Sequence, residues 1–347
     1  MGLFDDRKKL ENGKKQVPVW FMRQAGRYHS HYQNIKKNSN FMQMCKTPEL
    51  ACEITLGPVE EFSFDAAILF SDLLFPLELI GMGLSYNSGP PTLEVKLEHL
   101  NDLKKLKASQ DPATFYGFQK KSLELLKQKL SSEVSLLGFT GAPFTLYTYA
   151  VEGAHKGSLV SSKKGLYDGR FEGLCEFLVP SIIEQLSLQA EGGADGLCLF
   201  DTAAGELTLK DYTRFILPKI RSVTKELKKR YPEKKIIYYS KMTHLDYLEE
   251  IQDDNIDVLG IDWRCNLVSA LKRFSKDYYI QGNIDPVWLH LPWQNLETNL
   301  AQFWAELQSH DLNLDRWIAG LGHGVIIETP EQNVKKTVEY IHRNFIY

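Results

Sequence analysis

Pro18-Val-Trp-Phe-Met-Arg-Gln-Ala-Gly-Arg-Tyr28 begins as an apolar strand-like run and turns at Gly26, with one guanidinium on each side of the turn, Arg23 and Arg27. A strand this early in an α/β chain admits two architectures. A doubly wound open sheet places a phosphate-cradling Gly-x-Gly-x-x-Gly after its first strand, and Arg23-Gln24-Ala25-Gly26-Arg27 does not supply one. The alternative is a closed barrel, and it requires seven more strands further along.

The chain offers them. Short β-type apolar runs lie at 18–22, 66–70, 135–139, 196–200, 236–239, 258–261, 278–281 and 317–320. Between them stand segments with helical spacing at 48–62, 171–191, 209–230, 245–252, 267–274 and 296–307, and another closes the chain at 330–345. Strands that alternate with helices make a parallel sheet, and eight strands close it. The expected fold is therefore α/β, a single (β/α)8 TIM-type barrel over 1–347, with 1–16 a flexible N-terminus. The interval 72–135 exceeds one plain crossover. Its glycines and prolines predict a hairpin-like excursion around 84–95, followed by a charged helix near 97–130. Residues 151–169, rich in Gly, Ser and Lys, read as a mobile loop.

Composition narrows the function. A chain of 347 residues, 43% hydrophobic and 24% charged, can bury a large core, and its net charge of −3 gives no reason to expect a nucleic-acid partner. No run approaches the roughly 20 apolar residues that span a bilayer, so the expectation is a cytoplasmic protein without membrane contact. Cys45, Cys52, Cys175, Cys198 and Cys265 are scattered and form no Cys-x-x-Cys pair, which points away from disulfides and structural zinc.

Polar or glycine-rich residues follow each predicted strand. They are Arg23 to Arg27, Ser71-Asp72, Thr140 to Tyr149, Asp201-Thr202, Ser240-Lys241, Asp262-Trp263-Arg264, Gly282 to Pro286 and Gly322-His323-Gly324. The C-terminal ends of the strands are where a barrel enzyme builds its site. Taken singly, each has an ordinary alternative: exposed arginines, a helix-capping Asp72 or Thr202, a packing Tyr149, a structural His323. Taken together, they argue for one mouth lined from every side.

Residues 18–28, Phe70-Ser-Asp72, Thr140-Gly-Ala-Pro143, Thr148-Tyr149, Gln281-Gly-Asn-Ile-Asp-Pro286 and Gly322-His-Gly324 resemble, in order, the motifs of the uroporphyrinogen decarboxylase family, and the resemblance reaches from 18 to about 334. It implies a barrel, usually homodimeric, without a cofactor. The implied reaction converts uroporphyrinogen III to coproporphyrinogen III by four decarboxylations in tetrapyrrole and heme synthesis. Arg264 after Asp262-Trp263 and Glu328 before Thr329-Pro330 depart from the family pattern, as does the loop 151–157.

The chemistry needs an electron sink, which a protonated pyrrole ring supplies, so no pyridoxal phosphate, thiamine or metal is expected. Asp72 is the catalytic candidate: its carboxylate suits pyrrole N–H groups and favours a cationic ring. Arg23 and Arg27 suit acetate and propionate carboxylates. Arg23 is a second catalytic candidate, directly or through its bound acid as proton source, although a guanidinium holds its proton tightly. Gln24, Ala25 and Gly26 complete the binding turn. Tyr149, Thr202 and His323 offer further substrate contacts, Lys241 a rim charge, and Phe41 with Met42 an apolar wall. Two rivals remain. A zinc-dependent methyltransferase on the same fold needs His-x-Cys after a late strand and a further cysteine near the last, and neither position has one. A porphyrinogen-binding protein without catalysis is separable by the behaviour of Asp72→Asn.

Overall fold

The computed structural model describes residues 3–4, 10, 12–86, 90–154 and 157–347. A parallel sheet runs through seven strands: β1 (Ala66–Ile68), β4 (Ser135–Gly141), β5 (Gly196–Asp201), β6 (Lys235–Ser240), β7 (Val258–Gly260), β8 (Tyr279–Ile284) and β9 (Trp317–Leu321). The hairpin strands β2 (Leu84–Ser85) and β3 (Thr92–Leu93) stand apart as an antiparallel pair, as the 84–95 excursion predicts. The strands of the main sheet are buried almost throughout, the pattern of a sheet covered on both faces.

The eighth position is where expectation and structure differ in detail. Residues 18–22 are not a regular strand. Val19 forms an isolated parallel bridge to Ala319 of β9, with Ala319 N donating to Pro18 O at 2.9 Å and Trp20 N to Ala319 O at 3.2 Å. On the other side Asp65 N donates to Val19 O at 3.0 Å. Pro18 has no N–H to give a ladder, which is one reason that the pairing stays short. The segment nevertheless closes the sheet between β9 and β1, and the fold is a (β/α)8-type barrel.

The chain ends prepare that closure. Lys15 and Tyr347 exchange backbone bonds at 3.0 and 3.1 Å, and Val17 N donates to Phe345 O at 3.1 Å. Phe345 stacks on Trp304 with ring centroids 4.8 Å apart and on Trp317 of β9 at 5.8 Å, so the C-terminus carries residues 15–17 to the edge that they must join. The expectation of a flexible 1–16 falls partly on residues outside those described (1–2, 5–9 and 11). Leu3, which is described, is fully buried.

Helices follow the predicted pattern except at 97–130, where a short 3-10 turn at Leu100–Lys105 stands apart from the helix Pro112–Lys129, which begins at a proline after Asp111. Pro48–Phe62 starts with proline in its first turn, Pro112–Lys129 is capped by Asp111 accepting from Thr114 N at 3.0 Å, and Leu267–Phe274 by Asn266 accepting from Ser269 N at 2.8 Å. The stretch 209–230 is not one helix: a π-turn at Tyr212–Ile216 precedes Leu217–Arg230. Pro218 explains the break, because it removes one donor of the α-helical ladder. Residues 151–169, read from the sequence as a loop, contain the short helix Val160–Gly165. Among the described residues no helix is long and apolar enough to cross a membrane.

Candidate active site

The barrel order places the predicted residues around one mouth: Arg23 and Arg27 after the closing segment, Asp72 after β1, Tyr149 beyond β4, Thr202 after β5, Lys241 after β6, Arg264 after β7 and His323 after β9. Arg23 has φ +57, an uncommon conformation for a residue with a β-carbon. The surrounding contacts hold it. Val325 N donates to Met22 O at 2.9 Å, and a Cβ on Gly324 would lie 2.5 Å from Cδ of Arg23. The last loop therefore packs against the stem of the first arginine. Arg23 is accessible to solvent but crowded by the walls of the mouth, and its pKa falls, chiefly through loss of hydration and also through the charge of Arg27, with Tyr149 and Tyr239 opposing. Arg27 is exposed.

The residues between the two arginines serve the turn. Gln24 is fully buried, its Nε2 donating to Ala66 O at 3.1 Å, while its backbone carbonyl accepts Tyr28 Oη at 2.6 Å. Ala25 packs on the small cluster of Tyr32, Met44 and Ile54, and Gly26 O accepts from His29 N at 3.0 Å. The side chain of Gln24 is thus spent on the barrel, and the turn positions Arg23 and Arg27.

Asp72 is buried, with 8% of its surface accessible. Oδ1 accepts from Leu74 N at 2.6 Å, a local cap, and Oδ2 accepts from the hydroxyl of Tyr86 just beyond β2. Burial raises its pKa above the ordinary carboxylate value, and the two hydrogen bonds hold back part of the rise. Sequence reasoning missed Tyr86, because nothing in Leu84-Ser85-Tyr86 marks a hydroxyl that will meet Asp72. Phe41 lies 4.7 Å from the Tyr86 ring and 5.8 Å from Phe70, so the expected apolar wall stands beside the acid. Tyr149 lies in the later part of Pro143–Glu152 and not at its start; burial raises its pKa, Asp72 adds to the rise and Arg23 opposes it, which places it within electrostatic reach of both.

Two further supports were not legible in the sequence. Tyr239 of β6 donates to Gly322 O at 2.8 Å and meets the His323 ring edge-to-face at 6.4 Å, which fixes the last loop; His323 Nδ1 accepts from Gly324 N at 2.7 Å. Below Thr202, Asp201 is fully buried and accepts from Thr145 Oγ1 at 2.8 Å and Tyr238 Oη at 3.1 Å. Burial pushes its pKa up to about 6. Thr202 itself is half-buried.

All five cysteines are buried, and burial raises the thiol of each, Cys265 to about 11. That makes them poor metal ligands at neutral pH. Among the described residues the group that could hold a metal ion is His29, Glu61 and Glu331, where both carboxylates meet the same imidazole nitrogen at 2.8 and 3.2 Å. That geometry is a shared hydrogen bond.

The fold is an α/β barrel of the kind enzymes use, and the candidate residues stand at the C-terminal ends of its strands. Residues 10–344 match the family model for uroporphyrinogen decarboxylase. Curated uroporphyrinogen decarboxylases from Helicobacter pylori strain G27 and Trichlorobacter lovleyi are 38% and 34% identical to this chain, each over 94% of both sequences. A solved methyltransferase from Methanosarcina mazei superposes with a TM-score of 0.71 at 14% identity, over 95% of this chain and 94% of its own, a likeness of fold. The chain belongs to the uroporphyrinogen decarboxylase family.

Proposed function

We propose that the protein removes the four acetate carboxyls of uroporphyrinogen III, leaving methyl groups and giving coproporphyrinogen III for heme and tetrapyrrole synthesis. The observation that carries this reading is the division of the mouth. Asp72, buried, stands against an apolar wall, while Arg23 and Arg27 supply positive charge beside it. A macrocycle with N–H donors at its centre and carboxylates at its edge is complementary to both.

The chemistry follows from that placement. A proton added to the ring carbon beside the acetate-bearing carbon makes a pyrrole-derived cation. Its positive charge draws the electron pair of the breaking C–CO2 bond into an exocyclic double bond, and carbon dioxide leaves. A proton taken up by the exocyclic methylene makes the methyl group, and loss of the ring-carbon proton restores the pyrrole. The carboxylate of Asp72 accepts pyrrole N–H bonds and stabilises the cation, an electrostatic role that gains strength from its dry surroundings. Arg23 and Arg27 hold carboxylates by two-point contacts and orient the reacting arm. Tyr149 and His323 add further donors for carboxylate oxygens. The substrate supplies its own sink, so the reading includes no cofactor and no metal. It also includes a cytoplasmic enzyme, one barrel domain and a homodimer, for which sedimentation should give twice the chain mass of 39.8 kDa.

The test is an anaerobic assay with uroporphyrinogen III and no added metal or cofactor, with products separated by carboxylate number after oxidation. Appearance of the four-carboxylate product supports the reading. Unchanged substrate from folded protein overturns it.

A further inference from the structure

Arg264 and Lys241 belong to a part of the mouth that the catalytic account leaves unused. In the closed order of the barrel, the end of β7 lies four strand positions from the end of β1, so Arg264 stands across the mouth from Asp72. Lys241, after β6, is its neighbour. One acid ties Arg264 to the residue after Lys241: Asp262, buried beyond β7, accepts from Arg264 Nη1 at 2.9 Å and from Met242 N at 2.8 Å with the same oxygen, Oδ2. Its other oxygen accepts from Arg264 N at 2.9 Å. The Arg264 guanidinium lies 4.3 Å from the centre of the Trp263 ring, and with 39% of the side chain accessible it keeps donors for a ligand.

This corner joins the arginine turn by direct packing. Gly322 passes so close to Trp263 N that a β-carbon would not fit, and two residues later Gly324 lies against Arg23. Arg23, the 322–324 loop, Arg264 and Lys241 thus form a continuous arc. Met242, next to Lys241, has φ +60, the same uncommon backbone region as Arg23. The positive charges are not balanced within the arc. Lys241 is half-buried, and among the described residues its ammonium meets no carboxylate within ion-pair distance. Its pKa is lowered, by lost hydration first and then by Arg264, with Asp262 and Glu206 opposing and Arg23 adding to the fall.

We propose that Lys241 and Arg264 form a carboxylate subsite that holds a propionate or acetate arm on the side of the macrocycle remote from Asp72, and so set affinity and the orientation in which a ring is presented. This rests on the reading of the substrate given above. A carboxylate there would give Lys241 its missing partner and accept the Arg264 donors that Asp262 leaves unused. Both residues are specificity-determining, and neither touches the reacting carbon.

The experiment measures KM and kcat for uroporphyrinogen III with Lys241→Met, Arg264→Met and Arg264→Lys, each shown to be folded by circular dichroism, at low and at raised salt. Each methionine variant is expected to raise KM about tenfold, with a much smaller change in kcat. Each should also weaken the salt dependence of KM. Arg264→Lys keeps the charge near Asp262 but loses the planar fork, and it should fall between wild type and Arg264→Met; it also stands in if Arg264→Met fails to fold. Folded variants with the parent KM and salt dependence overturn the subsite. If wild type shows no turnover, the reading of the reaction falls, and binding of oxidised uroporphyrin by fluorescence decides the subsite alone. Tenfold weaker binding in the variants then supports it, and equal binding overturns it.

Discussion

Gly324 is the floor on which Arg23 rests: a β-carbon there would lie 2.5 Å from Cδ and 2.6 Å from Cγ of the arginine. The glycine comes from the last loop of the barrel and the arginine from the first. Gly324→Ala must push Arg23 aside, at a strain cost of about 1–3 kcal/mol if nothing yields. We expect kcat/KM to fall by about tenfold to a hundredfold, since small displacements of positioning groups are costly. The far-UV spectrum should match the parent. Unchanged kinetics would show that Arg23 does not need that floor.

Asp72→Asn keeps an oxygen for Leu74 N or Tyr86 but removes the charge. If the carboxylate stabilises a cationic ring, kcat should drop on the order of a hundredfold or more while porphyrin affinity changes little. Steady-state kinetics with a separate binding titration distinguish the two. Equal loss of both would make Asp72 a binding residue.

Tyr86→Phe tests the contact that the sequence did not reveal. The hydrogen bond from Tyr86 lowers the pKa of Asp72, while burial raises it. Removing the bond raises it further. The acid limb of the pH–kcat profile, below which Asp72 is protonated, should move to higher pH than in wild type. A limb that stays in place would separate Asp72 from that ionisation.

Asp201 makes a prediction about stability. Its pKa of about 6 stands above the ordinary carboxylate value of 3.8 because burial penalises the charge. A carboxyl raised on folding binds more protons in the native state, so its contribution to stability is largest below the unfolded value and declines as pH rises from about 4 to 6. Asp201→Asn removes that decline. Denaturant titrations should find the variant less dependent on pH in this window. Near neutrality the removed penalty is about 3 kcal/mol, offset by whatever the rearranged bonds to Thr145 and Tyr238 cost. A pH dependence identical to wild type would refute the assignment.

Local periodicity carried most of the architecture. The expected strands at 196–200 and 317–320 became Gly196–Asp201 and Trp317–Leu321, and the helices Pro48–Phe62 and Leu267–Phe274 have the predicted bounds. Alternation and amphipathic spacing are properties of neighbours in the chain, so the sequence displays them directly. Barrel strands deliver the residues that follow them to one end, so the sequence also indicated that the arginines, Asp72 and His323 stand at the same end of the barrel. The residues' partners were not visible. Tyr86 reaches Asp72 from a hairpin, Gly324 meets Arg23 from the opposite end of the chain, and Asp262 joins Arg264 to Met242, the neighbour of Lys241, across two strands. The closure itself belongs to the same group: residues 18–20 complete the barrel only because Phe345, packed on Trp304 and Trp317, brings the chain ends together. The sequence by itself determined which segments are strands and which residues stand at their ends, since those depend on local spacing. Only the tertiary structure decided which of those residues touch, because such contacts are set by barrel closure and by packing between positions far apart in the chain.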